Sequence, residues 1–160
     1  MNLSERTIEL MRGSADAEAC ARIMASSDPW LTLGRTFDDC LRVIVEPAKE
    51  VYVARAGKEV AGFIVVDMRG LLRGYIQIIA VHPDYRSGGI GRQLIAYAEE
   101  RIHRESPNVF LCVSSFNRDA YRLYERLGFE VTGELKDFLL RGHSEVLMRK
   151  TLGPWDSWRG

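Results

Sequence analysis

Two spacings of apolar residues alternate along the chain and divide it into strands and helices. A near-continuous apolar run covers residues 76–81, interrupted only by Gln77, and predicts a strand that is covered on both faces. Pro83 is expected to end this strand because proline has no N–H to donate. Helical spacing follows, with one apolar stripe formed by Leu94, Ile95, Ala98 and Ile102. The pattern therefore predicts a buried strand and an amphipathic helix, joined by a glycine-rich turn.

The same two spacings predict the other elements, in the order β-α-α-β-β-β-α-β-α-β-β. Strands are expected at residues 6–11, 50–55, 59–68, 75–81, 109–113, 129–135 and 145–152. Helices are expected at residues 15–26, from the capping box at 36–39 to Pro47, from Gly91 to Ser106, and at 117–127. Ser14 is the predicted N-cap of the first helix. The chain is predicted to form one domain over residues 1–160, with a C-terminal tail at 153–160.

Composition narrows the functional classes. Lys plus Arg equals Asp plus Glu, so the net charge of zero argues against a nucleic-acid binder. The chain begins without an apolar leader and contains no membrane-spanning run, which predicts a cytoplasmic protein with no membrane partner. Three scattered cysteines favour free thiols in a reducing compartment. Neither C-x-x-C nor H-E-x-x-H occurs, so no metal site is expected.

The glycine-rich turn is the first chemical signal. It reads Arg86-Ser87-Gly88-Gly89-Ile90-Gly91 and opens directly into the predicted helix. Glycines let a backbone approach a ligand closely, and the free N–H groups of a first helical turn attract anions. No Gly-Lys-Ser/Thr closes the turn, and Leu94 stands where a dinucleotide fingerprint needs its third glycine. We therefore expect a pyrophosphate site of another kind, or else a turn that only connects strand to helix.

Two motifs resemble the GNAT superfamily of N-acetyltransferases. Arg86, Gly89 and Gly91 match its acyl-CoA loop, Arg/Gln-x-x-Gly-x-Gly/Ala, and are preceded by Val-His-Pro-Asp-Tyr. A second segment matches N-x-x-A-x-x-x-Y-x-x-x-G-F at Asn117, Ala120, Tyr124, Gly128 and Phe129. On its spacing alone, Tyr124 is equally a core residue on the buried face of an amphipathic helix.

The resemblance implies an α+β fold in three layers, with a mixed, largely antiparallel sheet that splays apart between its fourth and fifth strands. It also implies acetyl-CoA as cofactor, with its pantetheine arm paired to the backbone of residues 79–81. The implied cofactor-binding residues are Ile79, Ala80, Val81, Arg86, Ser87, Gly88, Gly89, Ile90, Gly91, Arg92, Asn117, Ala120 and Tyr124. Tyr124 is the implied general acid for the departing thiolate, and an amine would attack the thioester directly. A backbone N–H near Val81 is the expected oxyanion donor.

The general base and the acceptor are less determined. Residues 111–115 carry no carboxylate, which leaves Asp38, Asp39, Asp137, His143 or a water relay as bases. Deprotonating a lysine-like amine at neutral pH costs about 4.6 kcal/mol, against about 1 kcal/mol for an α-amine, so a site without an obvious base favours an α-amine. The expected acceptor wall consists of Trp30, Phe37, Asp38, Asp39 and Phe138.

Three functional alternatives remain open from the sequence. The acceptor is a protein or peptide α-amine, or a small-molecule amine, or the chain is a module that binds CoA without catalysis. Trp155 and Trp158 in the tail are expected to pack on the body of the domain or on a second copy in a homodimer.

Overall fold

The structure is a computed structural model and describes residues 6–160. Residues 1–5, which belong to the segment expected to lack an apolar leader, lie outside the described residues. The strands are β1 Arg6–Leu10, β2 Glu50–Ala56, β3 Glu59–Asp67, β4 Tyr75–Val81, β5 Asn108–Ser114, β6 Glu130–Lys136 and β7 Ser144–Thr151. The α-helices are α1 Gly13–Ala25, α2 Phe37–Ile44, α3 Ile90–Ile102 and α4 Arg118–Arg126. A single 3₁₀ turn, Pro83–Tyr85, leads out of β4.

All seven strands form one sheet in the order β1-β2-β3-β4-β5-β7-β6. Every neighbouring pair is antiparallel except β4 and β5, which are parallel. These two strands pair only at Tyr75 with Phe110 and at Ile76 with Leu111, and then separate. The predicted splay between the fourth and fifth strands is therefore confirmed, together with the mixed α/β fold.

Helices cover both faces of the sheet and divide the core into two clusters. The stripe of α3 packs with Tyr124 and Phe129 on one face. On the other face, buried residues of α1 and α2 such as Cys20 and Cys40 pack against the sheet. Residues 61–66 of β3 are buried without interruption, since alternate side chains enter opposite clusters. The fold thus has the three layers that were predicted.

The two predicted helix caps had different outcomes. Thr36 caps α2 through a capping box, in which its hydroxyl accepts from the Asp39 N–H at 3.2 Å and Asp39 Oδ2 accepts from the Thr36 N–H at 3.0 Å. The prediction for Ser14 is wrong, because α1 begins at Gly13, two residues before the predicted start. The N-cap is Arg12, whose backbone N–H donates to the carboxylate of Asp16 at 2.8 Å. The side-chain group that accepts at the start of α1 is therefore the carboxylate of Asp16 in the first turn, and not the predicted hydroxyl of Ser14.

The C-terminal tail lies against its own chain. The guanidinium of Arg73, in the turn before β4, sits 5.5 Å from the ring centroid of Trp155. Trp155 in turn stacks edge-on with Trp158, at a centroid distance of 5.5 Å. Both tryptophans therefore have partners within the chain. No helix in the described part of the chain is long and apolar enough to span a membrane.

Candidate active site

A cleft of about 450 Å³ opens where β4 and β5 separate. This volume is in the range of small-molecule sites. Six elements (α1, α2, β4, β5, α4 and β7) and two loops contribute side chains to it. The lining residues used below are Asp28, Trp30, Arg35, Asp39, Tyr75, Gln77, Ile79, Cys112, Ser114, Asn117, Ala120, Tyr124, Phe138 and Glu145.

A β-bulge lies at the point of separation. The register between β3 and β4 jumps from Val65 opposite Ile78 to Val66 opposite Ile76, so Gln77 has no partner residue on β3. Gln77 Oε1 is buried without a hydrogen bond to any described residue, and the side chain lines the cleft. From Gln77 onward, β4 pairs with β3 but not with β5. One edge of residues 77–81 is therefore left open to the cleft, which is the geometry that an added extended segment requires.

The glycine-rich turn follows this open edge. Ser87 and Gly89 both have positive φ, at 63° and 81°. Gly89 is the N-cap residue of α3 and offers no side-chain cap to the helix. The first N–H groups of α3 therefore remain available to an anion. Arg92 is exposed in the same first turn.

Two arginines make hydrogen bonds at the glycine-rich turn, Arg86 of the turn itself and Arg6 of β1. The Arg86 guanidinium turns back toward the end of β4, where it donates to the Val81 carbonyl at 3.2 Å and to the Ser27 hydroxyl at 3.0 Å. Arg6 of β1 donates to the Gly88 carbonyl at 2.5 Å. The spacing of apolar residues placed Arg6 only at the start of the predicted first strand. This contact joins residues 82 positions apart, and the sequence pattern does not encode it.

Tyr124 and Asn117 reach the cleft from α4. Tyr124 is buried, with 7 % of its surface exposed, and its ring meets Phe129 edge-on at 6.0 Å. Burial raises the pKa of Tyr124 to about 12, so the phenol keeps its proton at neutral pH. Asn117 is the N-cap of α4 and accepts from the Ala120 N–H through Oδ1 at 3.4 Å. The amide nitrogen of Asn117 is then the group that can donate to a ligand.

The expected acceptor wall comes together only in part. Trp30, Asp39 and Phe138 line the cleft. Phe37 instead packs against the core beneath α1 and α2, and Asp38 is exposed outside the cleft lining. Successive side chains of a helix point about 100° apart, so Phe37 and Asp38 point away from the cleft that Asp39 faces.

Glu145 is the cleft residue that the sequence prediction missed. It is the second residue of β7, is 4 % exposed, and stands opposite Ser114 in the β5–β7 register. The Ser114 hydroxyl donates to Glu145 Oε1 at 2.6 Å. Burial raises the pKa of this carboxyl, and the Ser114 hydrogen bond opposes that rise. The one available sequence signal was a carboxylate directly before an apolar run, Val146-Leu147-Met148, in the predicted last strand.

Cys112 and Tyr75 complete the floor of the cleft. They lie on β5 and β4 and both line the opening. Burial raises the pKa of the Cys112 thiol, so little thiolate is present at neutral pH. Burial and the neighbouring Cys112 raise the pKa of Tyr75 as well. Both groups are therefore neutral, which leaves Glu145 as the ionisable carboxyl nearest to them.

The fold and the cleft together define a class, an α/β protein whose split sheet presents an open strand edge beside a glycine-rich helix N-terminus. Comparison with known proteins identifies the family. Residues 16–129 match the acetyltransferase (GNAT) family, and the chain belongs to it.

Individual relatives agree with this assignment. N-alpha-acetyltransferase 30 from Homo sapiens is 35 % identical over 96 residues, which cover 57 % of this chain and 26 % of the relative. The matched region is thus only about a quarter of that relative's length. A solved GNAT-family protein from Desulfovibrio desulfuricans superposes with a TM-score of 0.79 at 20 % identity, covering 93 % of this chain and 100 % of the other. An aminoglycoside 6'-N-acetyltransferase complexed with coenzyme A has a TM-score of 0.73 at 17 % identity, with coverage of 92 % and 98 %. At these identities the structural likenesses establish the fold.

Proposed function

We propose that this chain is an acetyl-CoA-dependent N-acetyltransferase that moves the acetyl group to a primary amine by direct attack within a ternary complex. One observation carries the proposal, namely the separation of β4 from β5 after Ile76. It leaves the strand edge open, with the glycine-rich turn at one end and Tyr124 beside it. Membership of the acetyltransferase family supports the same reaction.

Acetyl-CoA fits the groups along this edge. The pyrophosphate would lie on the N-terminus of α3 and the turn at residues 86–91, with Arg92 beside them. The pantetheine arm would pair with Ile79 and Val81 of the open edge, and the Asn117 amide would donate to it. Arg86 would have to leave the Val81 carbonyl to let the arm pair there and to reach the phosphates itself. The coenzyme A complex of the aminoglycoside relative supports this choice of ligand.

The chemistry asks three things of the site. Holding amine and thioester in one cleft supplies proximity, which in well-oriented reactions lowers the barrier by about 7–11 kcal/mol. A backbone N–H on β4 near Val81 would stabilise the oxyanion. Tyr124, protonated at neutral pH, would donate its proton to the departing thiolate.

The proposed acceptor is the α-amine of a protein or peptide. Trp30 and Phe138 form an apolar wall at the mouth, with Asp39 among them, and this suits a short chain start better than a long basic segment. The relative N-alpha-acetyltransferase 30 supports an α-amine. The likeness to an aminoglycoside acetyltransferase makes a small-molecule amine the second candidate. We place the reaction in the cytoplasm, where the three free cysteines stay reduced.

Thiol release from acetyl-CoA tests the proposal directly. Purified protein would be given peptides with a free N-terminus, the same peptides blocked at the N-terminus but carrying lysine, and aminoglycosides. We expect release with the free-N-terminal peptides only. Release with aminoglycosides alone would select the second acceptor class. Acetyl-CoA binding by calorimetry without release on any amine would overturn the enzymatic function and leave a binding module.

A further inference from the structure

Glu145 is a buried carboxyl that lines the cleft, where a general base for the acceptor amine is required. It lines the same cleft as Tyr124 and Cys112, although it belongs to β7, a strand beyond the separation. Ser114 lies directly opposite Glu145, and Cys112 precedes Ser114 by two residues, so all three side chains share one face of the sheet. The Ser114 hydroxyl holds Oε1, while Oε2 has no hydrogen-bond donor within residues 6–160. One oxygen therefore orients the group and the other is available to a ligand.

The other carboxylates that line the cleft, Asp39 and Asp28, are less buried than Glu145 and accept hydrogen bonds from their own segments. Asp39 uses Oδ2 in the capping box of α2 and Oδ1 in an ion pair with Arg42 at 2.7 Å. The N–H of Thr36, with its hydroxyl, lowers the pKa of Asp39, which makes it a weak base. Asp28 accepts from the N–H and hydroxyl of Thr32 at the mouth, at 3.2 and 2.8 Å. Among the carboxylates that line the cleft, Glu145 alone is buried and has a free oxygen.

The remaining sequence candidates lie elsewhere. Asp137 is exposed and accepts from the Gly142 N–H at 2.6 Å in the β6–β7 loop. The ring of His143 packs edge-on against Phe116 at 5.2 Å and is outside the cleft lining. Neither residue lines the cleft.

We infer that Glu145 is the general base of the acetyl transfer, held in place by Ser114 as a positioning residue. This inference rests on the proposed function. The base would then belong to β7, whose pairing with β5 places Glu145 opposite Ser114, while β5 has no carboxylate at residues 111–114.

The protons balance as follows. Glu145 Oε2 takes one proton from the acceptor ammonium, and the neutral nitrogen bonds to the thioester carbon. The C–S bond then breaks, and the thiolate takes the proton of Tyr124. The nitrogen loses its second proton to the tyrosinate, and Glu145 later releases its proton to solvent. Ammonium and thioester thus give amide, thiol and one proton.

The surroundings of Glu145 set the expected pH profile. Burial raises the pKa of Glu145 above the ordinary glutamate value, which makes its carboxylate a stronger base. Opposite Glu145 on β6 stands Leu135, which does not titrate. The titratable or charged groups that line the same cleft are Tyr75 on β4, Cys112 on β5, Tyr124 on α4, Asp28 and Arg35 before α2, and Asp39 in α2.

The test compares kcat/KM across pH for wild type, Glu145→Gln and Ser114→Ala with one fixed acceptor. Wild type should show a rising limb at a pKa above the ordinary glutamate value, separate from the limb of the amine. Glu145→Gln should lose that limb and at least about 10²-fold in kcat/KM. Ser114→Ala should keep the limb but move it to higher pH, because the hydrogen bond that favours the carboxylate is gone. Glu134→Gln, on exposed β6, is the matched control and should behave as wild type.

Acetyl-CoA binding by calorimetry separates the outcomes. A Glu145→Gln protein that binds acetyl-CoA normally and stays within twofold of wild type at every pH overturns the inference while the proposed function stands. Wild type that releases no thiol on any amine overturns both. If Glu145→Gln does not fold, the Ser114→Ala profile decides, since an unmoved limb would mean that Glu145 does not titrate in the reaction.

Discussion

At the scale of single residues, this protein depends on how burial changes acidity. The same desolvation acts on Tyr124, Cys112 and Glu145 around one cleft. Desolvation keeps the phenol of Tyr124 protonated and able to act as an acid, and it keeps the thiol of Cys112 protonated and unreactive. It also raises the pKa of the Glu145 carboxyl above the ordinary glutamate value. Acid and base roles are thus assigned by environment, with Tyr124 and Glu145 as the proposed pair.

Replacing Tyr124 by phenylalanine tests the acid. Tyr124→Phe should lower kcat by about 10²-fold with little change in the KM for acetyl-CoA, since the lost interaction grows as charge develops on sulfur. The measurement is steady-state thiol release. Tyr121→Phe is the matched control, because Tyr121 lies on the same helix outside the cleft lining. Equal kcat for Tyr124→Phe and wild type, with the fold intact, would make Tyr124 a core residue only.

At the scale of elements, the link from β4 to α3 combines backbone strain with an open surface. Gly89 has a φ of +81°, so a side chain there strains the turn whatever is bound. Gly91 has no such φ, and a Cβ at this position would meet only Val81 Cγ2, at 3.8 Å. Gly91 is therefore the position at which a side chain disturbs the ligand and spares the fold.

The two glycines give a paired prediction. Gly91→Val should lower acetyl-CoA affinity at least about tenfold with little change in Tm, because its side chain occupies the space of the approaching ligand. Gly89→Val should lower affinity and also stability, by about 1–2 kcal/mol. Calorimetry and thermal unfolding measure the two effects. Gly133→Val serves as the control, since a Cβ there meets nothing within 4 Å. Unchanged affinity in Gly91→Val would reduce the turn to a connection.

At the scale of the whole molecule, a charged network joins α1 to the edge of the sheet. Arg55 of β2 donates to Asp16 at 2.6 Å and to Glu9 of β1 at 2.5 Å. Burial acts to raise the pKa of Asp16, but the Arg12 N–H and the Arg55 guanidinium outweigh it and lower the pKa below its ordinary 3.8. A carboxyl whose pKa is lowered in the folded state stabilises the fold at pH values above its unfolded-state pKa. This stabilisation is lost as the pH falls through the folded-state pKa.

Urea unfolding of Asp16→Asn tests that network. At neutral pH we expect a loss of about 1–3 kcal/mol, the size of a hydrogen bond to a charged group. The difference from wild type should shrink as the pH falls below about 4, where Asp16 becomes protonated. Glu18→Gln is the control on the same helix, because its pair with Arg22 is 3.6 Å long and exposed, and it should change stability by less than about 0.5 kcal/mol. A difference that stays constant into acid would exclude Asp16 as the source of the pH dependence.

Local features of this protein could be predicted from the sequence. The stripe of α3, the end of β4 before Pro83 and the capping box at Thr36 each depend on residues a few positions apart. Periodicity and cap chemistry act over that range, so the pattern predicted the elements and their order. The glycine-rich turn and Tyr124 belong to contiguous motifs and were identified for the same reason. The local prediction of Ser14 as N-cap was wrong, because Arg12 is the N-cap and its N–H donates to the carboxylate of Asp16.

Contacts between distant segments were decided only by the tertiary structure. Glu145 follows Ser114 by 31 positions, and only the β5–β7 register places the carboxylate in the cleft. Arg6 reaches Gly88 across 82 positions, and the separation of β4 from β5 depends on which two residue pairs they keep. Strand pairing of this kind is set by how all layers bury their apolar faces together, and no local spacing records it. The sequence thus specified the parts of the site, and packing decided which of them meet.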